Sequence, residues 1–242
     1  MTQARSREGT PGGSAGSQTL SRGIRILEIL ADAREPLSID EVARRLGVHR
    51  SIAYRLLRTL EDHGLVVREA DGRVDLGARM AALAAGVAHD LQAEALPELT
   101  QAANDLGMTC FLSILDREEC ITLASVEPRH GVASVAQRPG TRHPVTVGAP
   151  GKAILSLAPE PSWPEGLDDA HRADVRVARE RGWATSHDEV IAGLRSIAVP
   201  LRLPKGERAA VAVVYLSDPH PDADIAARLT RVAAAITSAI GG

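Results

Sequence analysis

The stretch HRSIAYRLLRTLEDH, from His49 to His63, places Arg50, Tyr54 and Arg58 at successive steps of four, with His49, Ser51 and Arg55 beside them. On a helix these residues share one face, while Ile52, Leu56, Leu57 and Leu60 share the other. An outward row of long donors backed by an apolar face is what reading a nucleic acid in its major groove requires. An arginine fork can donate two parallel hydrogen bonds to guanine O6 and N7, worth about 1–3 kcal/mol of discrimination. Tyr54 can reach a phosphate through its hydroxyl or a thymine methyl through its ring. Arg44, Arg45 and Arg22 suit phosphate contacts, which position a reader without specifying sequence. Arg73 fits two roles, a minor-groove contact or a brace within a hairpin.

The elements that must hold this row are legible around it. Leu20, Ile24, Leu27, Ile29 and Leu30 give a helical period over residues 20–33. Ser38-Ile39-Asp40-Glu41 is a capping-box pattern that opens a second helix, closed at Gly47. The third helix runs over 49–63 and Gly64 closes it. Two short alternating runs, Leu65–Glu69 and Arg73–Leu76, flank Ala70-Asp71-Gly72 and read as a β-hairpin. Three helices and a hairpin in this order predict a winged helix-turn-helix, and that order outweighs the reading of the arginines as a merely solvated face.

Beyond Gly77 an Ala-rich stretch predicts a helical linker, and strands then alternate with helices. The expected strands are 109–115, 119–126, 132–137, 196–202 and 209–216. The expected helices are 149–157, 170–181 and 223–240. The fold class is α+β: an N-terminal winged helix-turn-helix, a helical linker and a C-terminal α/β domain with a mostly antiparallel sheet. The expected divisions are a disordered tail over 1–17, the DNA-binding domain over 18–77, the linker over 78–90 and the second domain over 91–242.

Composition agrees with this division. The net charge of −3 separates into +2 over residues 1–79 and −5 over the rest, as suits a nucleic-acid module fused to another domain. No run approaches the roughly 20 apolar residues of a membrane span, and the first residues have no apolar signal core. With Cys110 and Cys120 as the only cysteines, neither a zinc site nor a disulfide framework is expected, and the cytoplasm is the expected compartment. Both thiols are expected to pack in a core. The eight histidines show no metal-ligand spacing. Gly148-Ala149-Pro150-Gly151-Lys152-Ala153 only echoes a phosphate loop, because Ala153 removes the magnesium-binding hydroxyl. No nucleophile elbow or zinc-protease motif is present. No catalytic residue, cofactor or metal is therefore expected.

QTLSRGIRILEILA, LSIDEVARRLGVHRSIAYRLLRTLEDHGLVVREADGRVDLG, HPVTVGAPGKAIL and RGWATSHDEVIAGLRSIAVPL together resemble the IclR family of bacterial regulators. The resemblance runs from about residue 18 to the end. It implies a C-terminal domain similar to GAF domains that binds a small organic effector, often a carboxylic or aromatic acid. It also implies operator-binding dimers or dimers of dimers, with repression the expected sign of regulation. The apolar first helix and the linker around Met80–Val87 are the expected dimer surfaces. By the resemblance, Gly148 and Ala149 stand where a helix start offers N–H groups to a carboxylate, a seat that helix termini supply on physical grounds as well. Arg142 is the nearby cation. Ser186 and Ser196 stand where the family often has Asp and Cys, and Thr146 where it often has His. Losing the Asp charge implies tolerance of a more anionic ligand.

Overall fold

The computed structural model describes residues 17–33, 35–130, 135–204, 206–216 and 220–241. The chain divides into two compact units, Met1–Val87 and Ala88–Gly242. The expected tail lies outside the described residues, except for Ser17, whose hydroxyl accepts the Leu20 N–H and opens the first helix.

The first unit contains α1 (Gln18–Ala31), α2 (Ile39–Leu46), α3 (Arg50–Asp62), the antiparallel strands β1 (Val66–Arg68) and β2 (Val74–Leu76), and α4 (Arg79–Ala84). The capping box forms as its sequence predicts. The Ser38 hydroxyl accepts the Glu41 N–H at 3.3 Å, and the Glu41 carboxylate accepts the Ser38 N–H at 2.8 Å. These bonds from Ser38 hold the Glu41 carboxyl below its usual range. The left-handed cap at Gly47 then turns the chain sharply into α3. Ile26, Leu30, Val42, Leu57, Val66 and Val74 converge in one core. Fully burying such side chains contributes about 1.5–3 kcal/mol each. The periodicity assigned to α1 needs correction here, because Ile26 is buried while Leu20 and Ile24 are exposed. Leu37 pairs with Val74 in a single bridge that stitches the α1–α2 connection onto the wing.

The second unit opens with α5 (His89–Leu106). The expected continuous linker helix over 78–90 instead ends at Ala84, and the next helix starts after Ala88, whose φ is +46°. Six strands follow in one antiparallel sheet: β3 (Thr109–Asp116), β4 (Glu119–Val126), β5 (Arg142–Pro144), β6 (Ala184–His187), β7 (Arg195–Arg202) and β8 (Arg208–Tyr215). Their spatial order is β5-β4-β3-β8-β7-β6. The expected strand over 132–137 does not appear at residues 135–137, and residues 132–134 lie outside the described ones. The strands β5 and β6 were not foreseen, being short and carrying Arg, His, Pro, Thr and Ser rather than an apolar alternation.

The remaining helices are α6 (Gly148–Ser156), α7 (Asp169–Arg181) and α8 (Asp222–Ile240). Alternation along the central strands feeds two cores. Ile197, Val199, Val211 and Val213 face α5 and α8, whereas Phe111, Ala198, Ala210, Ala212 and Val214 face the α6 side. Small residues on both partners let α6 press closely onto the sheet, and all nine of its residues are buried. That close approach brings the start of α6 to the edge formed by β6 and β7.

Candidate functional site

The first unit presents the row of donors outward. Ala53 and Leu57 anchor α3 in the core, and Arg50, Ser51, Tyr54, Arg55 and Arg58 are exposed on the other side. Arg44 and Arg45 are exposed at the end of α2. Arg55 and Arg58 have no ion pair among the described residues. Arg50 does: its guanidinium meets Asp40 at 2.9 Å across the turn from α2. Exposed pairs of this kind contribute about 0–1 kcal/mol, so the contact orients Arg50 more than it stabilises the fold.

His49 and Ser51 cap α3 as well as lying on its face. The His49 Nδ1 accepts the Ser51 N–H at 3.3 Å and lies 2.9 Å from the Ser51 hydroxyl. Of the two roles open to Arg73, the brace is the one formed here. Its guanidinium donates to the Pro36 carbonyl at 3.1 Å and lies 3.5 Å from Asp71. A second brace escaped the sequence reading: Arg68 on the wing donates to Glu61 on α3 at 3.3 Å. Arg22 is half-buried and shares a cleft with Arg55, Thr19 and Thr59. The cleft therefore sets two arginine side chains together, donors suited to phosphate oxygens, while the Thr59 hydroxyl donates to the Arg55 carbonyl at 3.1 Å. The threonines carry no sequence signal of their own.

The second unit contains a narrow cleft with about 430 Å³ of empty space, its open mouth included, at the start of α6. Phe111, Pro150, Val190, Ile191, Leu194 and Val214 supply its apolar wall. Of the five residues expected to meet a ligand, Gly148, Ser186 and Ser196 line it; Ser186 and Ser196 are direct cross-strand partners on β6 and β7. Ala149 is fully buried behind them and is not part of the lining. Arg142 is exposed on β5, 3.9 Å from Glu119, and does not line the cleft either. Thr146 lies in a different surface depression. Arg142 thus stands outside the lining of the cleft that Gly148 borders, although the two are close in sequence.

The residue that sequence reasoning missed is Glu189. Its carboxylate accepts the Gly148 N–H at 2.8 Å through Oε2 and the Lys152 ammonium at 2.5 Å through Oε1. The N–H expected to receive a ligand carboxylate is therefore already held by one from the chain itself. The Lys152 side chain is 4% exposed and also donates to Asp174 at 2.6 Å and the Thr185 carbonyl at 3.3 Å. His171 Nε2 stands 3.7 Å from Glu189. The loop after β6 delivers Glu189 to this place. Asp188, at φ +60°, accepts the Gly193 N–H at 2.5 Å and closes the loop base. Gly148 has φ +81°, and a Cβ there would meet Val190 Cγ2 at 2.8 Å, so only glycine fits beneath this loop. The pairing spans 41 residues of sequence and leaves no local pattern from which to read it.

Other polar groups at the cleft are also committed. Ser196 Oγ donates to the Val213 carbonyl at 2.7 Å, and Gln137 donates to Thr122 at 2.9 Å. His143, whose pKa is lowered by burial, directs Nδ1 to the Pro144 carbonyl at 3.0 Å. Arg195, with a half-exposed side chain, lies 3.9 Å from Asp222 at the start of α8. Cys110 and Cys120 are buried core residues, their thiols pushed up to about 12 by desolvation. Among the described residues no cluster could hold a metal ion, and no helix is long and apolar enough to cross a membrane.

Comparison with known proteins accounts for both sites together. Residues 19–70 match the IclR helix-turn-helix domain, and residues 84–238 match the C-terminal domain of bacterial transcriptional regulators of the IclR type. The HTH-type transcriptional regulator Rv1719 of Mycobacterium tuberculosis is 30% identical over 215 residues, 83% of each chain. The crystal structure of an IclR-type regulator from Alicyclobacillus acidocaldarius superposes with a TM-score of 0.82 at 27% identity, covering 94% of this chain and all of the other. An IclR homolog from Microbacterium hydrocarbonoxydans, solved in complex with 4-hydroxybenzoate, gives a TM-score of 0.78 at 25% identity over 93% of this chain and 99% of its own. With both its helix-turn-helix and its C-terminal domain matched along nearly the whole chain, this protein belongs to the IclR family of DNA-binding transcription regulators.

Proposed function

We propose that this regulator seats α3 in the major groove of a roughly palindromic operator, as a homodimer or a dimer of dimers, in the cytoplasm. Arg55, Arg58 and Tyr54 read base edges, with Arg50 oriented toward them by Asp40. Arg22, Arg44 and Arg45 hold phosphates, while His49 and Ser51 set the start of the reading helix. The observation that carries this reading is the outward row on α3, anchored from behind by Ala53 and Leu57. Dimerisation is supported by the exposure of Leu20 and Ile24 on α1 and of Leu83 and Val87 around α4, since exposed apolar side chains on adjacent turns favour a partner. Repression, with the bound protein excluding polymerase, is the proposed sign of regulation.

The cleft at the start of α6 is the proposed effector site. Its apolar wall and few polar groups have the character of small-molecule pockets, and the Microbacterium relative is bound to an aromatic acid. An effector alters operator affinity only if it binds one arrangement of the protein better than another, and the effect is reciprocal. The operator is tested by incubating the protein with fragmented DNA from its source organism and sequencing what is retained. A recurrent palindromic site supports the reading, and unselective retention contradicts it. An effector whose affinity is the same with and without that site contradicts the coupling.

A further inference from the structure

We propose that the depression beside the β3–β4 turn is a second small-molecule site, built on Arg208 for a monocarboxylate with an apolar body. The depression holds about 1330 Å³ of empty space, its open mouth included, and shares no lining residue with the α6 cleft. Leu115, Val145, Leu155 and Pro164 supply apolar wall, while Arg208, at the start of β8, and Thr146 supply polar groups. An apolar wall with a few convergent donors is the character of a small-molecule pocket.

Arg208 is the group that calls for an anion. It is half-buried, its Nη1 is shielded from solvent without a hydrogen bond, and among the described residues its guanidinium has no ion pair. Charged groups withdrawn from water are ordinarily paired. The acceptors nearby are already taken. The last carbonyls of a helix attract cations, and at the end of α6 each has a donor. Leu155 accepts from Trp163 at 3.0 Å, Ser156 from Arg179 at 2.9 Å, Leu157 from Arg202 at 3.0 Å, and Ala158 from both Trp163 and Arg179. Arg179 and Arg202 thus brace that helix end, and Arg208 does not. Arg202 also stands directly across from Arg208 in the β7–β8 register, and like charges so placed repel. An anion on Arg208 supplies the missing partner and offsets this repulsion.

The form of the ligand follows from the same residues. With Nη1 packed away, Nε and Nη2 remain as a side-on fork, the geometry that matches a carboxylate. The Thr146 hydroxyl, which makes no hydrogen bond among the described residues, adds a donor. Glu118, Glu165 and Arg117 are exposed residues of the lining, and two carboxylates against one guanidinium oppose a second negative charge on the ligand. These features select a monocarboxylate over a phosphate or a dicarboxylate.

Trp163 also borders the depression and serves as a reporter. In a Trp183→Phe background it is the only tryptophan, and its emission is followed while the full chain is titrated with hexanoate or with hexanamide, the uncharged analogue. Hexanoate should shift the emission saturably and bind about tenfold or more tightly than hexanamide, as for hydrogen bonds to a charged group. Arg208→Gln should shrink that preference to about threefold or less, and Thr146→Val should weaken hexanoate by about threefold. Removing an unpaired charge breaks no contact, so Arg208→Gln should melt no lower than its parent. No saturable change with hexanoate at millimolar concentration overturns the inference, as do equal affinities for the two probes or a preference that survives in Arg208→Gln. If Arg208→Gln melts far below its parent or does not fold, Arg208 has a structural partner and the inference falls; undiminished hexanoate affinity in Thr146→Val overturns it as well. None of these results bears on the α6 cleft, whose effector reading stands or falls separately.

Discussion

Replacing Lys152 by Met removes the cation of a buried cluster while keeping the length of its apolar stem. Its side chain is 4% exposed, and the ammonium is bonded to Asp174, Glu189 and the Thr185 carbonyl. After the substitution, Glu189 keeps the Gly148 N–H but loses its lysine partner. Breaking a buried pair from one side costs about 3–5 kcal/mol, because the surviving charge stays desolvated. Asp174 is 56% exposed and Glu189 21%, so water can recover part of that loss, and the lower end, about 3 kcal/mol, applies. In a unit of this size each kcal/mol moves the midpoint by about 2–4 °C, so the transition of residues 88–242 should fall by about 6–12 °C in differential scanning calorimetry. Adding Glu189→Gln removes the orphaned charge and should restore about 1–3 kcal/mol of it. A Lys152→Met transition within about 2 °C of wild type, or a double variant that melts lower than the single, refutes the account of the cluster.

Three further outcomes follow from the same structure. Ser38→Ala removes the hydroxyl arm of the capping box and leaves the backbone N–H donating to Glu41; it should destabilise the first unit by about 1 kcal/mol, read from the amide-exchange protection of α2. Arg45→Ala should weaken binding to all duplexes alike and lower the slope of log affinity against log salt by about 0.9, as expected of a lost phosphate contact. Cys110 and Cys120 should resist alkylation in the folded protein at pH 8 and react fully after unfolding. With both thiols raised from 9.0 to about 12, the folded state holds their protons more tightly than the unfolded. Their contribution to stability is therefore complete below pH 9 and is lost as pH rises toward 12.

The first unit was legible because its signals are local. A capping box, a left-handed glycine and an Asp-Gly turn each act within four residues and fix where α2, α3 and the wing begin and end. Even so, the apolar register of α1 was assigned without Ile26, which the core selects over Leu20 and Ile24 through contacts with α2 and α3. In the second unit the long strands and all three later helices were evident from their periodicity. The three-residue β5 and four-residue β6 were not, since their pairing to β4 and β7 is a tertiary outcome. The cleft shows the same division. Gly148, Ser186 and Ser196, singled out by motif resemblance, line the cleft, whereas Glu189 depends on a loop closure that no spacing announces. Arg142, chosen for its nearness in sequence, is not among the residues lining the cleft.

The claim that α3 reads operator sequence through its outward arginines is tested most directly by equilibrium binding of wild type and Arg55→Ala. Each is titrated on a recovered operator and on a scrambled duplex of equal length at one salt concentration. The account predicts a loss of about 1–3 kcal/mol on the operator, as for a bidentate base contact, with little change on the scrambled duplex. Unchanged operator affinity, or an equal loss on both duplexes, would contradict it.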